Sequence, residues 1–384
     1  MNPLLVNLSF LIAKPTGHTA YAVNLLPHLQ PLNPTLLISP HHCTDVAGDV
    51  AYNVCRDVAC YVSTSQYNYY PIPGNLTPKQ GTAGHLRRLW WTQVKLARIY
   101  QKLQSSLLFS PIPEAPLYSN CRYIVTVHDF IPLRFPRLLS PLTPYHRYYI
   151  PQVLNQAQHI ICNSDATADD IINFCHIPAD KITPIPLAYD ATCFHKGKLP
   201  DETIAVPNPY FLYIGRHDPH KNLPRIIAAF AAISNCREYE LWLAGTPDRR
   251  YTPKLKELIA QLGITQQVKF LDYVPYSQLP TMLRNAQALV FPSLWEGFGL
   301  PVLEAMACGT PVITSNISSL PEVAGDAAIL VDPYNTEEIT AAMQTIVNDA
   351  VLRSHLSTLG LIRSTQFSWQ KTGLTTLEVL KRFL

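Results

Sequence analysis

The 384-residue chain lacks most of the short signatures that settle a function at once. There is no Gly-x-Gly-x-x-Gly. The first apolar run leads into PTGHTAY, which has one glycine and argues against a dinucleotide oxidoreductase. Nine cysteines form no Cys-x-x-Cys pair and no regular framework, so they read as buried thiols in a reducing compartment. No metal-ligand spacing occurs, and His41-His42-Cys43 stands alone and reads as a loop. No segment reaches the ~20 apolar residues of a membrane span. No Lys or Arg precedes the N-terminal apolar run, so a first buried strand from Leu4 to Ala13, turning at Pro15-Thr16-Gly17, fits better than a signal peptide. Charged residues make up 15% of the chain, and a net charge of +3 is too mild to point to nucleic acid. What remains is a globular composition, 47% hydrophobic, with length for about two domains of ~150 residues and a cytosolic location expected.

Carboxylates are missing from one long stretch. None occurs between Asp57 and Glu114, while Lys79, Arg87, Arg88, Lys95, Arg98 and Lys102 all do. At ~100° per residue, Arg88, Lys95, Arg98 and Lys102 share about a quarter-turn of helix surface, with Trp91 projecting from it. Leu86, Leu89, Trp90, Leu96, Tyr100 and Leu103 take the opposite side. Such a face suits anionic lipid head groups or an anionic acceptor, and an ordinary solvated face gives the same pattern. The preceding TSQYNYYPIPGNLTPKQGT has no periodicity and reads as a loop.

The rest alternates. In the first half, RYIVTVHDF and QHIICNS are separated by helical patterns such as ATADDIINFC. In the second half YFLYIG, YELWLAG, QVKFLDYV, ALVFPS and PVITS alternate with NLPRIIAAFAAI, PKLKELIAQLG, YSQLPTMLRNA and PVLEAMACG. Short apolar runs spaced by amphipathic helices predict βαβ units and two doubly wound parallel sheets. Between Phe194 and Tyr210, HKGKLPDETIAVPNP loses periodicity, which places domains at 1–199 and 200–366, followed by a closing helix at 367–384. In such folds ligands bind at the carboxyl ends of the strands.

Two clusters fall at such ends. In WEGFGLPVLEAMACGTPVI, Glu296 and Glu304 lie eight positions apart, a poor fit to one helix face. Pro301 suits the first position of a helix that stops at Gly309, and Gly297 and Gly299 loosen the turn before it. The amides near Phe298, Gly299 and Leu300 then offer an anion site at the positive end of the helix dipole. Glu304, expected in the first turn, can accept from two ribose hydroxyls, and Glu296 faces another part of the same ligand. Alone, Glu304 can equally be a dipole partner, and Ser293 with Glu296 has the spacing of a capping box. GRHDPHKN, after the strand YFLYI, supplies Arg216 and Lys221 as a fork and a point charge for phosphate oxygens. A pair of cations on a loop is otherwise just surface.

Taken together, GRHDPHKNLPRIIAAF, FLDYVPYSQLPTMLRNA and VFPSLWEGFGLPVLEAMACGTPVITSNISSLPEVAGDAAILVDP resemble the donor-binding domain of the retaining glycosyltransferases of family 4, which have the GT-B fold of two facing Rossmann-like domains. PTGHTAYAVNLL, IVTVHDFIPLRFP and IICNSDATADDI resemble the family's first domain, and FSWQKTGLTTLEVLKRFL its crossover helix. The resemblance implies that Arg216 and Lys221 bind the donor diphosphate, Glu296 lies near the donor sugar and Glu304 on the ribose. Phe298, Gly299 and Leu300 approach sugar and phosphate through their backbone, and Tyr273 joins the donor-binding residues. Gly17 matches the glycine loop under the phosphate, His128 the histidine near the transferred sugar, and Asp129 faces the acceptor. The family uses no resident metal and no cofactor beyond the nucleotide sugar.

The expected function is transfer of a mannose- or glucose-type hexose to a saccharide or lipid-linked acceptor, and the motifs lean toward the members that use GDP-mannose to build surface polysaccharide. Arg88, Trp91, Lys95 and Lys102 are the expected acceptor or membrane contacts, at the inner face of the membrane. Ala188 departs from the family, which often has glycine there. A non-catalytic nucleotide-sugar scaffold, an epimerase and a phosphorylase share the architecture.

Overall fold

The computed structural model describes residues 4–12, 17–40, 43–44, 62–63, 67–77, 81–137, 140–197 and 208–384. His41, His42, Pro15, Thr16 and most of the expected linker therefore lie outside the described residues. The chain divides into two compact units, 1–187 with 368–384, and 188–367.

In the first unit the strands are β1 (Leu4–Asn7), β2 (Thr35–Ile38), the short β3 (Cys43–Thr44) and β4 (Val62–Ser63), then β5 (Asn68–Pro71), β6 (Leu107–Ser110), β7 (Tyr123–Val127), β8 (His159–Cys162) and β9 (Ile182–Pro184). Seven of them form one sheet in the order β5-β2-β1-β6-β7-β8-β9, parallel throughout, and β3 pairs with β4 separately. The central strands are continuous apolar runs because both faces are covered by helices. Leu5, Leu108, Val125 and Ile160 are fully buried, and each such side chain contributes roughly 1.5–3 kcal/mol. The first strand ends at Asn7 rather than Ala13, since Leu8 turns the chain and Leu11 N–H closes on the Leu8 carbonyl.

Two expectations for this unit need correction. The segment read as a loop contains β5, an edge strand on β2. Its residues are mostly exposed, so it carries little of the alternation that marks a half-buried strand. The helix carrying the basic residues is not one uniform α-helix: Gly81–Trp91 passes through a π-helical stretch at Thr92–Leu96 into Ala97–Lys102. Its i→i+5 bonds put an extra residue in the turn and rotate the two ends relative to each other.

The second unit has β10 (Tyr210–Ile214), β11 (Glu240–Ala244), β12 (Val268–Phe270), β13 (Ala288–Phe291), β14 (Val312–Ser315) and β15 (Ile329–Val331). Their order is β12-β11-β10-β13-β14-β15, again all parallel. The order reverses between β10 and β13, which is where an open α/β sheet leaves a crevice. Gly245 fixes the geometry where β11 ends beside β10. A Cβ there would lie 1.9 Å from the Gly215 carbonyl oxygen, so only glycine lets the two strand ends approach.

The break between units comes at Leu187, earlier than the sequence boundary at 199. The reason is packing: Phe194 is fully buried with its ring edge-on to Tyr276 at 5.2 Å, and Arg284 Nη1 donates to the His195 carbonyl at 2.7 Å. At the other end the helix Trp369–Lys381 belongs to the first unit. Ser368 caps it, Thr372 Oγ1 donates to the Pro186 carbonyl at 2.7 Å, and Trp369 meets the Tyr21 ring. Cys121, Cys162, Cys175, Cys236 and Cys308 are free thiols, whereas Cys193 is disulfide-bonded, against the expectation of thiols throughout. Among the described residues no helix is long and apolar enough to cross a membrane.

Candidate active site

The loops after β10 and β13 flank the reversal of strand order in the second unit, and they carry the expected site residues. After β10 the chain runs Gly215-Arg216-His217-Asp218 into a 3₁₀ turn, Pro219–Lys221, and Asn222 takes a left-handed conformation. Asn222 Nδ2 donates to the carbonyls of Pro292 and Pro333 at 3.0 and 2.6 Å, which anchors this loop to the one after β13. Lys221 is thereby held against Glu296, with Nζ 2.6 Å from Oε1 and both side chains largely buried. Lys221 Nζ also lies 5.2 Å over the Phe291 ring. Arg216 is different: its side chain is 69% exposed, and its Nε pairs loosely with Asp218 at 3.3 Å.

The turn between the two glutamates is built as a rigid cradle. Gly299 has φ +106° and begins the helix Leu300–Ala307, with Pro301 in its first turn. A Cβ on Gly299 would meet the Leu320 side chain at 2.7 Å. Ser319 Oγ is shared between the carbonyls of Glu296 and Phe298, at 3.0 and 2.9 Å, and Ser318 Oγ accepts from the Glu296 amide at 3.3 Å. Helix-starting amides have no carbonyl behind them, so this cradle holds donors toward an anion. Gly309, with φ +74°, follows the end of the helix.

Glu304 sits one residue deeper than expected. The helix begins at Leu300, one residue before Pro301, so Glu304 is its fifth residue and lies just past the first turn, which weakens the dipole-partner reading. Burial pushes its carboxyl up to about 8, and the Tyr276 hydroxyl donates to Oε1 at 3.4 Å. Tyr276 was missed by sequence reasoning, which named Tyr273 from the same loop. Tyr273 follows β12 and is about half exposed. The sequence does hold a signal for Tyr276, namely a tyrosine at the start of the helical pattern YSQLPTMLRNA that leads back to the site.

In the first unit, Gly17 is the first residue of the helix Gly17–Leu29, and a Cβ there would meet nothing within 4 Å. His128 follows β7 and is buried, with Nε2 donating to the Pro111 carbonyl at 2.9 Å. Burial, with His18 alongside, pushes its imidazole down to about 3, so it is neutral at physiological pH. The His18 and Tyr21 rings lie 4.6 and 4.9 Å from it. Asp129 Oδ1 accepts from the Ile131 amide at 3.0 Å. His18 was not singled out from the sequence, although it adjoins Gly17 in PTGHTAY.

Arg88 and Trp91 are not surface contacts. Each is only 5% exposed, while Leu86 and Trp90, placed on the inner side by uniform helical periodicity, are 60% and 59% exposed. Arg88 makes a two-pronged bond to Glu114, Nε and Nη2 each 2.7 Å from a carboxylate oxygen, joined by the Tyr145 hydroxyl at 3.1 Å. Burial alone would raise the Glu114 carboxyl, but Arg88 outweighs it and holds the group below its usual range. Glu114 ends the carboxylate-free stretch, and a lone acid among cations was the overlooked clue. Lys95 and Lys102 do stay exposed.

Two parallel doubly wound sheets, one with a glycine cradle and a Lys–Glu pair at its switch point, define a GT-B glycosyltransferase. The sequence profile of Glycosyl transferases group 1 matches residues 198–360, and that of Glycosyltransferase Family 4 matches residues 17–192. The chain is 31% identical over 271 residues to the O-antigen chain mannosyltransferase B of Escherichia coli, covering 68% of this chain and 70% of that protein. It is 28% identical over 358 residues to the O-antigen chain mannosyltransferase RfbU of Salmonella typhimurium, covering 91% and 93%. Among solved structures, sucrose-phosphate synthase from Thermosynechococcus elongatus has a TM-score of 0.71 at 18% identity, covering 100% of this chain and 99% of the other. Anabaena Alr3699/HepE in complex with UDP-glucose gives 0.72 at 17% identity, covering 99% of each. The chain belongs to the group 1, family 4 glycosyltransferases.

Proposed function

We propose that this glycosyltransferase moves a mannose-type hexose from a nucleotide-diphosphate sugar, GDP-mannose foremost, to a saccharide or lipid-linked acceptor, with retention of anomeric configuration and without a resident metal. The observation that carries the reading is the Lys221–Glu296 pair beside the Gly299 cradle at the switch point of the second sheet. The relatives named as O-antigen chain mannosyltransferases support the sugar and the polysaccharide setting.

As the anomeric C–O bond breaks, its electron pair goes to the diphosphate oxygen and positive charge grows on the sugar ring. Lys221, Arg216 and the amides around Phe298, Gly299 and Leu300 stabilise the leaving diphosphate, and such preorganised donors are worth most where water is excluded. The acceptor hydroxyl attacks from the face the diphosphate leaves, and its proton passes to a leaving phosphate oxygen. Glu296 orients the sugar hydroxyls and Glu304 the ribose. Tyr273 flanks the nucleotide, Gly17 leaves room for phosphate, and His128 and Asp129 serve the transferred sugar and the acceptor. Peripheral contact with the inner face of the membrane, through the basic helix, suits a lipid-linked acceptor.

The test is calorimetric titration with GDP, UDP, ADP and their common sugars, without added metal. Selective binding of GDP and GDP-mannose is expected; binding of none would remove the donor-site assignment. The same titrations report on Glu304. At pH 7 its carboxyl, with a pKa raised to about 8, is mostly protonated in the free protein. Ribose hydroxyls donate only to the charged form's advantage, which lowers that pKa and releases a proton on binding. Titrations in buffers of different ionisation enthalpy should show about one proton released at pH 7, fading above pH 8, and none in Glu304→Gln. Uptake of a proton, or release unchanged in Glu304→Gln, would remove the ribose role.

A further inference from the structure

A second cavity lies in the first unit beside its edge strand, and neither His128 nor Gly17 is among the residues that line it. Between the edge strand β5, the turn that follows it, and the helix from Gly81 to Lys102 there is a cavity of about 550 Å³. Tyr70, Trp90 and Trp91 give it aromatic walls, and Lys95, Arg98 and Lys102 line it as well. Arg87 adds a further cation, and no acidic side chain is among the lining residues. Lys102 Nζ lies 5.6 Å over the Tyr70 ring. Lys95, Arg98 and Lys102 are exposed, and none of them is ion-paired among the described residues. Like charges around one concavity repel, and a bound anion relieves that repulsion.

Charge alone fits any phosphate. The apolar groups beside the groove narrow the choice. Leu86 and Trp90 stand four residues apart, on one helix face, and both project into solvent. A soluble phosphorylated saccharide gives Leu86 nothing to contact, whereas a bilayer surface takes the apolar tips and the cations together. We propose that the groove seats the phosphate headgroup of an anionic phospholipid, with Trp90 and Leu86 entering the acyl boundary. This deepens the membrane-contact reading given above and rests on it. It also replaces Arg88 and Trp91 as the outward contacts: Arg88 is locked inside on Glu114, and Trp91 is a wall of the groove. The concavity distinguishes the site from simple adsorption of a basic helix, since a pocket selects a headgroup and saturates.

The experiment is co-sedimentation of the full chain with phosphatidylcholine vesicles, with and without phosphatidylglycerol, alongside tryptophan emission. Binding that requires phosphatidylglycerol, with a blue shift lost in Trp90→Ala, is expected. Each neutralised cation should weaken binding about fivefold, so that the Lys95→Gln/Arg98→Gln/Lys102→Gln variant binds roughly a hundredfold more weakly. Water-soluble dihexanoyl phosphatidylglycerol should compete, and mannose 1-phosphate should not. Equal binding to neutral vesicles, wild-type binding by the triple variant, or failure of the short-chain lipid to compete overturns the proposal. So does competition by mannose 1-phosphate as strong as that by the lipid. All substituted side chains are at the surface or groove rim, and thermal melting confirms that the variants fold. Nucleotide titration of the wild type tests the transferase reading separately, so the two can fail independently.

Discussion

Lys221→Ala is expected to lower kcat/KM for the donor by roughly 10²–10³, the loss seen when one preorganised donor to developing negative charge is removed, about 3–4 kcal/mol of transition-state stabilisation. The effect is large because Lys221 has two duties. Its ammonium meets the leaving diphosphate, and its 2.6 Å contact holds Glu296, so removal also leaves a mostly buried carboxylate without its cation. Lys221→Arg keeps the cation but replaces a compact ammonium by a wider planar fork, so it separates the need for charge from the need for the 2.6 Å contact to Glu296. Arg216→Ala, by contrast, is expected to act mainly through donor affinity, because its guanidinium is 69% exposed and held only by a loose pair with Asp218. Steady-state kinetics with the donor identified by titration, together with melting curves, separates these cases. A Lys221→Ala enzyme with near-normal kcat/KM would move the phosphate site elsewhere.

The second unit was legible in the sequence for a physical reason. Its strands are short apolar runs buried on both sides, its helices are amphipathic, and the turns between them contain glycine or proline where the backbone requires it. YELWLAG and QVKFLDYV became β11 and β12, and PVLEAMACG became the helix that begins at Leu300. Proline at that helix start and Gly309 after its end set both boundaries. The pairing of Lys221 with Glu296 was not legible, because 75 residues separate them and only the sheet order brings their loops together. Nor was the depth of Glu304, which depends on a helix start one residue before Pro301.

The first unit was read less well, and the failures share a cause. Periodicity assumes one constant helix, and the π-helical stretch at Thr92–Leu96 breaks that assumption in the middle of the basic segment. Nor is the charge of a side chain a proxy for its exposure. Arg88 shows why, since a charge goes inside when one carboxylate is placed to receive both of its prongs. Glu114 lies 26 residues further on, across β6, where no local pattern connects the two.

That buried pair yields the largest expected change in stability. Arg88→Met should destabilise the protein by about 3–5 kcal/mol, because Glu114 is left as an uncompensated charge in the interior. For a unit of this size the melting temperature should fall by roughly 10 °C. The double variant Arg88→Met/Glu114→Leu should recover much of the loss, since apolar groups of similar volume often replace a buried ion pair at little cost. The pH dependence carries the same signature. The folded Glu114 carboxyl is held below its ordinary value, so its contribution is present above that value and is lost as the pH falls through the lowered one. The double variant should therefore lose less stability on acidification than the wild type. If Arg88 were instead an outward contact to lipid or acceptor, Arg88→Met would weaken vesicle binding and leave the melting temperature unmoved. Melting and co-sedimentation of the same variant, measured side by side, decide between a cation that holds the first unit together and one that faces outward.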